Sequence, residues 1–277
     1  MSSAVLGSGV AILHDFGTKE SGAGGYAFFF LAACLLFGLV DRLWATAGAH
    51  ATQTVGAPGP LMIAVVSFCL GNLCLFASAR TLDGVDLAAL GRLYLPFCAL
   101  LAIFAIGERF SGRQLALASV LIVVSLQPLT EVGIVTEQRN AVVLCVLAYF
   151  CFAVYYTTLS WAFKAQAVRV NAQSAFVALL ALLAYAGVPS PDGALLPIAA
   201  GAIFSLSHKL FYMANRSVSF LELNLYRVAS PLVVVLVYGM IASRHVGVAE
   251  VVWVGMLTCL YAAWFLCPPA KPRRRQV

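Results

Sequence analysis

The sequence predicts an all-α polytopic membrane protein, with ten transmembrane helices arranged as two five-helix inverted repeats. Three observations lead there. The 277 residues are 62% hydrophobic and 10% charged, where a soluble domain carries about a quarter charged residues, and the mean hydropathy is +0.95. Apolar runs long enough to cross a ~30 Å hydrocarbon core recur from end to end. The chain also matches itself once, at a shift of 135 residues.

The first expected span, 3–17, comes from "SSAVLGSGVAILHDFG" and carries His14 and Asp15. A cleaved signal peptide is the competing reading. It is disfavoured because there is no basic n-region and no A-x-A-like site before "HDFGTKES". The second span is 24–40, followed by the longest loop, 41–59. Span 60–79 holds Asn72, and span 87–106 holds Arg92 and Pro96. Span 112–129 follows the turn "GERFSG", in which Glu108 lies beside Arg109 and Arg113 and is read as structural. Span 140–159 carries Tyr155 and Tyr156, and 172–188 is followed by 194–214 with Ser207 and His208. Span 219–241 holds Arg227 and Pro231, and 247–266 closes the series. The divisions are thus a first repeat at 1–134, a second at 135–270, and a basic tail at 271–277.

Lys and Arg in the loops orient such a protein, because they accumulate on the cytoplasmic side. Ten spans place both termini together. That side collects eleven basic residues: Arg42, Arg109, Arg113, Lys164, Arg169, Lys209, Arg216, Lys271 and Arg273 to Arg275. The other side has four: Lys19, Arg80, Arg139 and Arg244. Both ends are therefore expected in the cytoplasm, with "KPRRRQV" lying near anionic headgroups. Nucleic-acid binding by that tail is not expected, since a net charge of +6 is ordinary positive-inside bias here. The eight cysteines fall in or beside apolar runs without a C-x-x-C, and read as small packing residues. Glycosylation at the "NRS" sequon of Asn215 is not expected on a cytoplasmic face.

The internal match lays "CLFASARTLDGVDLAALGRLYLP" (74–96) over "KLFYMANRSVSFLELNLYRVASP" (209–231). Leu75, Phe76, Ala79, Arg92 and Pro96 fall on Leu210, Phe211, Ala214, Arg227 and Pro231. The two arginines deep in spans coincide, each followed by proline four residues on. Five spans per half force the halves into opposite orientation, as in many secondary transporters. A charge at the bilayer centre costs at least ~2.5–3.5 kcal/mol, and a guanidinium cannot shed its proton. Proline has no N–H to bond the carbonyl four residues back, so Pro96 and Pro231 free the carbonyls of Arg92 and Arg227. Neither arginine has a carboxylate one turn away on its own helix. Each needs a partner from another helix, from water or from a ligand. An anionic or zwitterionic substrate would supply the bidentate partner a guanidinium favours. The competing reading is a buried ion pair with Asp15 or Glu222, costly to break but of little net stabilisation.

The stretch "LYLPFCALLAIFAIGERFSGRQLALASVLIVVSL" (93–126) resembles the fourth and fifth helices of the drug/metabolite transporter superfamily, in its ten-helix EamA-like branch. Upstream, "LFASARTLDGVDLAAL" resembles that family's third helix and the loop leading to its fourth. Span count and two-half layout match over nearly the whole chain. Departures are "IASRHVG" (241–247), where Gly-Glu-Arg would fall, and a first helix without the usual Trp-Gly pair. The resemblance implies a central cavity lined by the first, third and fourth helices of each half. The matching positions are His14 and Asp15, Asn72, Arg92 and Pro96, Tyr155 and Tyr156, Ser207 and His208, and Arg227 and Pro231. These are also polar or helix-breaking residues within apolar spans.

Each position has a plainer reading. Asn72 and Ser207 are the types that glue helices together, Tyr155 and Tyr156 suit an interfacial belt, and Lys209 and Glu222 suit snorkelling at helix ends. His14 with Asp15 suits a proton relay, or an Asp that simply faces water. An enzyme is not expected: "HDFG" and "SHKL" are isolated, and H-E-x-x-H and G-x-S-x-G are missing. No cofactor and no metal are implied. The function expected is a secondary active transporter, acting as an exporter of a small metabolite in a bacterial inner membrane. Its partners would be the substrate, the bilayer and, through His14 and Asp15, protons; it would work as a monomer or homodimer. A lipid or lipid-linked-sugar flippase of the same fold, or a non-transporting channel or scaffold, is the alternative.

Overall fold

The computed structural model describes residues 2–46, 58–82, 87, 90–101, 104, 111–125, 136–163, 167–214 and 248–266. Among them there is helix and no strand. The helices are α1 (Ser2–Thr46), α2 (Pro58–Ser78), α3 (Tyr94–Leu101), α4 (Gly112–Ser125), α5 (Thr136–Ala162), α6 (Ala167–Ala186), α7 (Leu195–Ala214) and α8 (Val248–Leu266). A 3-10 turn, Gly91–Leu93, leads directly into α3. Five described stretches are long and apolar enough to cross a membrane: Gly24–Leu43, Pro58–Ser78, Arg139–Ala162, Ala167–Ala184 and Leu195–Met213. Large apolar side chains such as Leu36, Met62, Val66 and Val143 stand on the outside of the helices. In water such a surface would aggregate. It suits hydrocarbon, and the protein is membrane-embedded and helical.

The expected spans 3–17 and 24–40 are two helical segments of α1 that meet at Gly22, where the backbone is not helical, with φ 69° and ψ 158°. That backbone conformation is essentially restricted to glycine. The connection between the two is therefore a sharp break at one residue. Tyr26, just past the kink, lies back against Gly17, just before it, and a Cβ at Gly17 would collide with that ring. The expected span 219–241, with Arg227 and Pro231, lies outside the described residues, as does Glu108.

α1 packs most extensively on α7 and also along α6, while α2 packs on α5 and α6, α3 on α5, and α8 on α4. Small residues bring the backbones together, the usual device between helices in lipid. Gly38 of α1 sits against Ala172 of α6, and Gly201 of α7 sits against the Phe30 carbonyl and Ala33 of α1. The registers give directions. Gly38 with Ala172 and Gly25 with Pro189 make α6 antiparallel to the second part of α1. Cys34 with Gly201 and Asp41 with Lys209 make α7 parallel to it. Phe68 with Tyr155 and Gly71 with Phe152 make α2 and α5 antiparallel.

The sequence reading has Lys209 reaching out to a surface. Its side chain is partly exposed there and also pairs with Asp41, tying α7 to α1. At that end α1, α6 and α7 also bring Arg42 and Arg169 close to the pair, by the register of Gly38 on Ala172. Thr18 donates to the carbonyl of Ala79 across the other end, at 3.3 Å.

Candidate functional site

Two histidines organise the interior. His14, on α1 before the kink, is buried. Its Nδ1 lies 2.6 Å from the Tyr26 hydroxyl. Its ring meets Tyr26, Phe30 and Phe76 at centroid distances of 5.0, 5.1 and 5.4 Å. The fold brings Tyr26 there because the Gly22 kink turns the chain back past its own first segment. Thr18, one turn after His14, donates to the His14 carbonyl at 2.7 Å. Asp15 is in α1, but its side chain lies outside the described residues.

His208, on α7, is also buried. Its Nδ1–H donates to the Phe204 carbonyl at 2.9 Å, which fixes the ring against its own helix. It stacks on Tyr156 at 4.9 Å and 20° and touches the Phe204 ring at 4.0 Å. Tyr156 in turn meets Tyr94 edge-on at 5.2 Å. Phe30 and Phe204, 5.2 Å apart, join the two neighbourhoods. The outcome is one continuous aromatic seam from His14 to His208, drawn from α1, α2, α3, α5 and α7.

Tyr155 lies beside this seam with no exposed surface, and its hydroxyl donates to Asn171 Oδ1 at 3.0 Å. Its ring meets Phe68 at 5.1 Å. Tyr155 and Tyr156 are thus interior residues, which removes the interfacial-belt reading. Asn72 is buried and its Nδ2 donates to Phe68 O, one turn back on α2, at 2.8 Å. That bond stays within its own helix and glues nothing to a neighbour. Ser207 is buried beside His208.

Arg92 lies in the 3-10 turn Gly91–Leu93, and Pro96 is buried in the first turn of α3. The tightening falls where Pro96 leaves the Arg92 carbonyl without its α-helical donor. Tyr149 of α5 fills the break: its hydroxyl donates to Leu87 O at 2.9 Å, the carbonyl that Gly91 would bond in a continuous α-helix. Gly91 makes room, since a Cβ there would lie 3.1 Å from the Tyr149 ring. The Arg92 side chain, Arg227, Pro231 and Glu108 lie outside the described residues.

The structure therefore brings Tyr155, Tyr156 and His208 together, and His14 joins them through Phe30 and Phe204. It adds Tyr26, Phe30, Phe68, Phe204 and Asn171. The aromatics are invisible as site residues in a chain where such side chains are common. Asn171 had a readable signal, a polar residue heading an apolar run, but the expected span began one residue after it. α6 begins at Ala167, which puts Asn171 inside. Chemically, the arrangement offers apolar ring faces with a few oriented polar atoms. That is the composition of a small-molecule site. Among the described residues no group of His, Cys, Asp and Glu has the makings of a metal site.

No protein-family model matches the chain, and no curated protein matches it. Sixteen chains of solved structure do. One, described as "Crystal structure of protein", has 12% sequence identity and a TM-score of 0.67, covering 96% of this chain and 95% of that chain. At that identity the likeness is one of fold, and it extends over nearly the full length of both chains.

Proposed function

We propose that this protein is a secondary active transporter that moves a small anionic or zwitterionic metabolite across a membrane by alternating access. The observation that carries the reading is the seam itself. His14 and Tyr26 of α1, Tyr94 of α3, Tyr156 of α5 and His208 of α7 converge inside a bundle whose outside is apolar. Intramembrane ionisable residues facing a bundle interior mark substrate or ion pathways. Repetition supports it as well. The shift of 135 residues that aligns Arg92 with Arg227 and Pro96 with Pro231 is the repeat. Two halves of opposite orientation around a midplane site are the usual framework for alternating access.

In this reading the chain is an EamA-like member of the drug/metabolite transporter superfamily, exporting from a bacterial cytoplasm with both termini inside. The ends of the helices agree with that orientation: Arg42, Arg169 and Lys209 lie at one end, and Arg80 and Arg139 at the other. Arg92 and Arg227 hold the acidic group of the substrate in turn, as the halves rock. Lysine replaces them poorly, because it offers a point charge and not a fork. His14 with Asp15 provides the route for a coupled proton.

The test is a thermal-shift screen of the purified protein against anionic metabolites, amino acids and cationic drugs. Anionic or zwitterionic compounds should raise the melting temperature of the parent. Arg92→Gln and Arg227→Gln should remain folded and lose that response. Rescue of either variant by Asp15→Asn or Glu222→Gln would show that the arginines belong to structural ion pairs, and the reading would fail.

A further inference from the structure

The chain reaches α3 through an interrupted helix. Leu87 and Leu90 are helical, Gly91–Leu93 tightens to a 3-10 turn, and α3 begins at Tyr94. An interruption inside the bilayer frees backbone groups that lipid cannot satisfy. Such breaks persist in transporters where the freed backbone stands beside a substrate or ion site near the midplane. Arg92 is the middle residue of this turn, and Pro96 denies its carbonyl an α-helical donor. Leu87, Leu90 and Leu93 are buried, so the turn is packed in the interior.

α5 holds the turn from the side. Tyr149 donates its hydroxyl to Leu87 O at 2.9 Å. Its ring lies over Gly91, where a Cβ would come within 3.1 Å of both the ring and the hydroxyl. The missing side chain at Gly91 is what lets the phenol reach the carbonyl one turn behind. Two turns further along α5, on the same face, Tyr156 meets Tyr94 edge-on at 5.2 Å. The two tyrosines therefore grip the chain on both sides of Arg92, one before the turn and one after it. The grips differ in kind. Tyr156 meets Tyr94 ring to ring and also stacks on His208, so it belongs to the seam. Tyr149 bonds the backbone itself. A hydrogen bond to a carbonyl is directional, and this one fixes the backbone from which the Arg92 side chain extends.

We propose that Tyr149 is a positioning residue for substrate recognition: its hydroxyl fixes the turn that carries Arg92, and thereby sets how strongly the protein prefers a ligand with a carboxylate over one without. The inference rests on the transporter reading above, in which Arg92 takes the acidic group of the substrate. It adds the residue through which that contact is held in place. A guanidinium gains its advantage over a point charge where both of its parallel bonds to a carboxylate form. A loosened turn therefore costs that contact more than it costs contacts to neutral groups.

The probes are L-glutamine and L-glutaminamide, in which a neutral amide replaces the α-carboxylate. In thermal-shift titrations of the purified full chain, the parent should bind glutamine more tightly. Tyr149→Phe keeps the ring over Gly91 and removes the hydroxyl. It should weaken glutamine about 3- to 10-fold, as for one neutral hydrogen bond, and leave glutaminamide unchanged. Weakening of both compounds alike is what a merely structural role would give, and it would overturn the proposal while leaving the transporter reading intact. A variant that binds both compounds as the parent does would overturn it in the same way. If Tyr149→Phe does not fold, Gly91→Ala is read by the same criteria, since its Cβ would crowd the phenol away from Leu87 O. Equal binding of the two compounds by the parent, or binding of neither, would contradict the role given to Arg92 in the transporter reading, and this inference with it.

Discussion

The neighbourhoods of His14 and His208 are alike in burial and differ in what holds the ring. His208 bonds a carbonyl of its own helix, four residues back, and its ring stacks on Tyr156 of α5. His14 bonds Tyr26, twelve residues on and across the Gly22 kink. Its orientation therefore depends on how two helical segments meet. The His14 ring is thus tied to the geometry of the kink, and the His208 ring to the backbone of α7 and the ring of Tyr156.

The most disruptive way to break the comparison is to cut the seam between its halves. Phe30 has no exposed surface and touches both the His14 ring and Phe204. Phe30→Ala should cost about 3–5 kcal/mol, the usual penalty for emptying a buried aromatic site, read as a large fall in melting temperature. A small fall would mean that the seam is loosely packed.

Next in size is the kink. Gly22→Ala places a side chain where φ is 69°, at about 1–3 kcal/mol. The loss should concentrate on α1, with faster amide exchange around His14 and Tyr26 than around His208. Equal exchange at both would erase the difference drawn here.

Tyr26→Phe is gentler and sharper. It removes one hydrogen bond, about 1 kcal/mol, and keeps the ring packing against Phe30 and Phe76. The ¹⁵N imidazole signals of His14 should shift and those of His208 should stay. A shift at both would show that the two rings share one network. The smallest effect belongs to Lys209→Met. It removes an ion pair with Asp41 that is partly open to solvent, and such pairs contribute about 0–1 kcal/mol.

Much of the fold was legible because hydropathy in lipid is a strong, contiguous signal. Among the described residues, helix falls within each expected span outside 219–241. The separation of 3–17 from 24–40 was legible, because "GTKESGAGG" reads as a break by its glycines and charges; that helix continues on both sides right up to Gly22 was not. The site was legible where a polar residue stood inside an apolar run, as with His14, Tyr155, Tyr156 and His208. Tyr26 and Phe30 escaped because rings in a membrane helix look alike in sequence, and only the kink selects which two meet a histidine. Asn171 escaped through a boundary error of a few residues. The Asp41 partner of Lys209 escaped because the pair joins residues far apart in the chain.

Solute counterflow is the most direct test of transport through this interior. Proteoliposomes holding the full chain would be loaded with unlabelled L-glutamine and diluted into a trace of the labelled amino acid. The expected result is a transient accumulation of label above the outside concentration. Phe204→Ala and Arg92→Gln should abolish it while the protein stays folded. A non-saturating leak without overshoot would identify a channel, and no flux from folded protein would contradict alternating-access transport of this substrate.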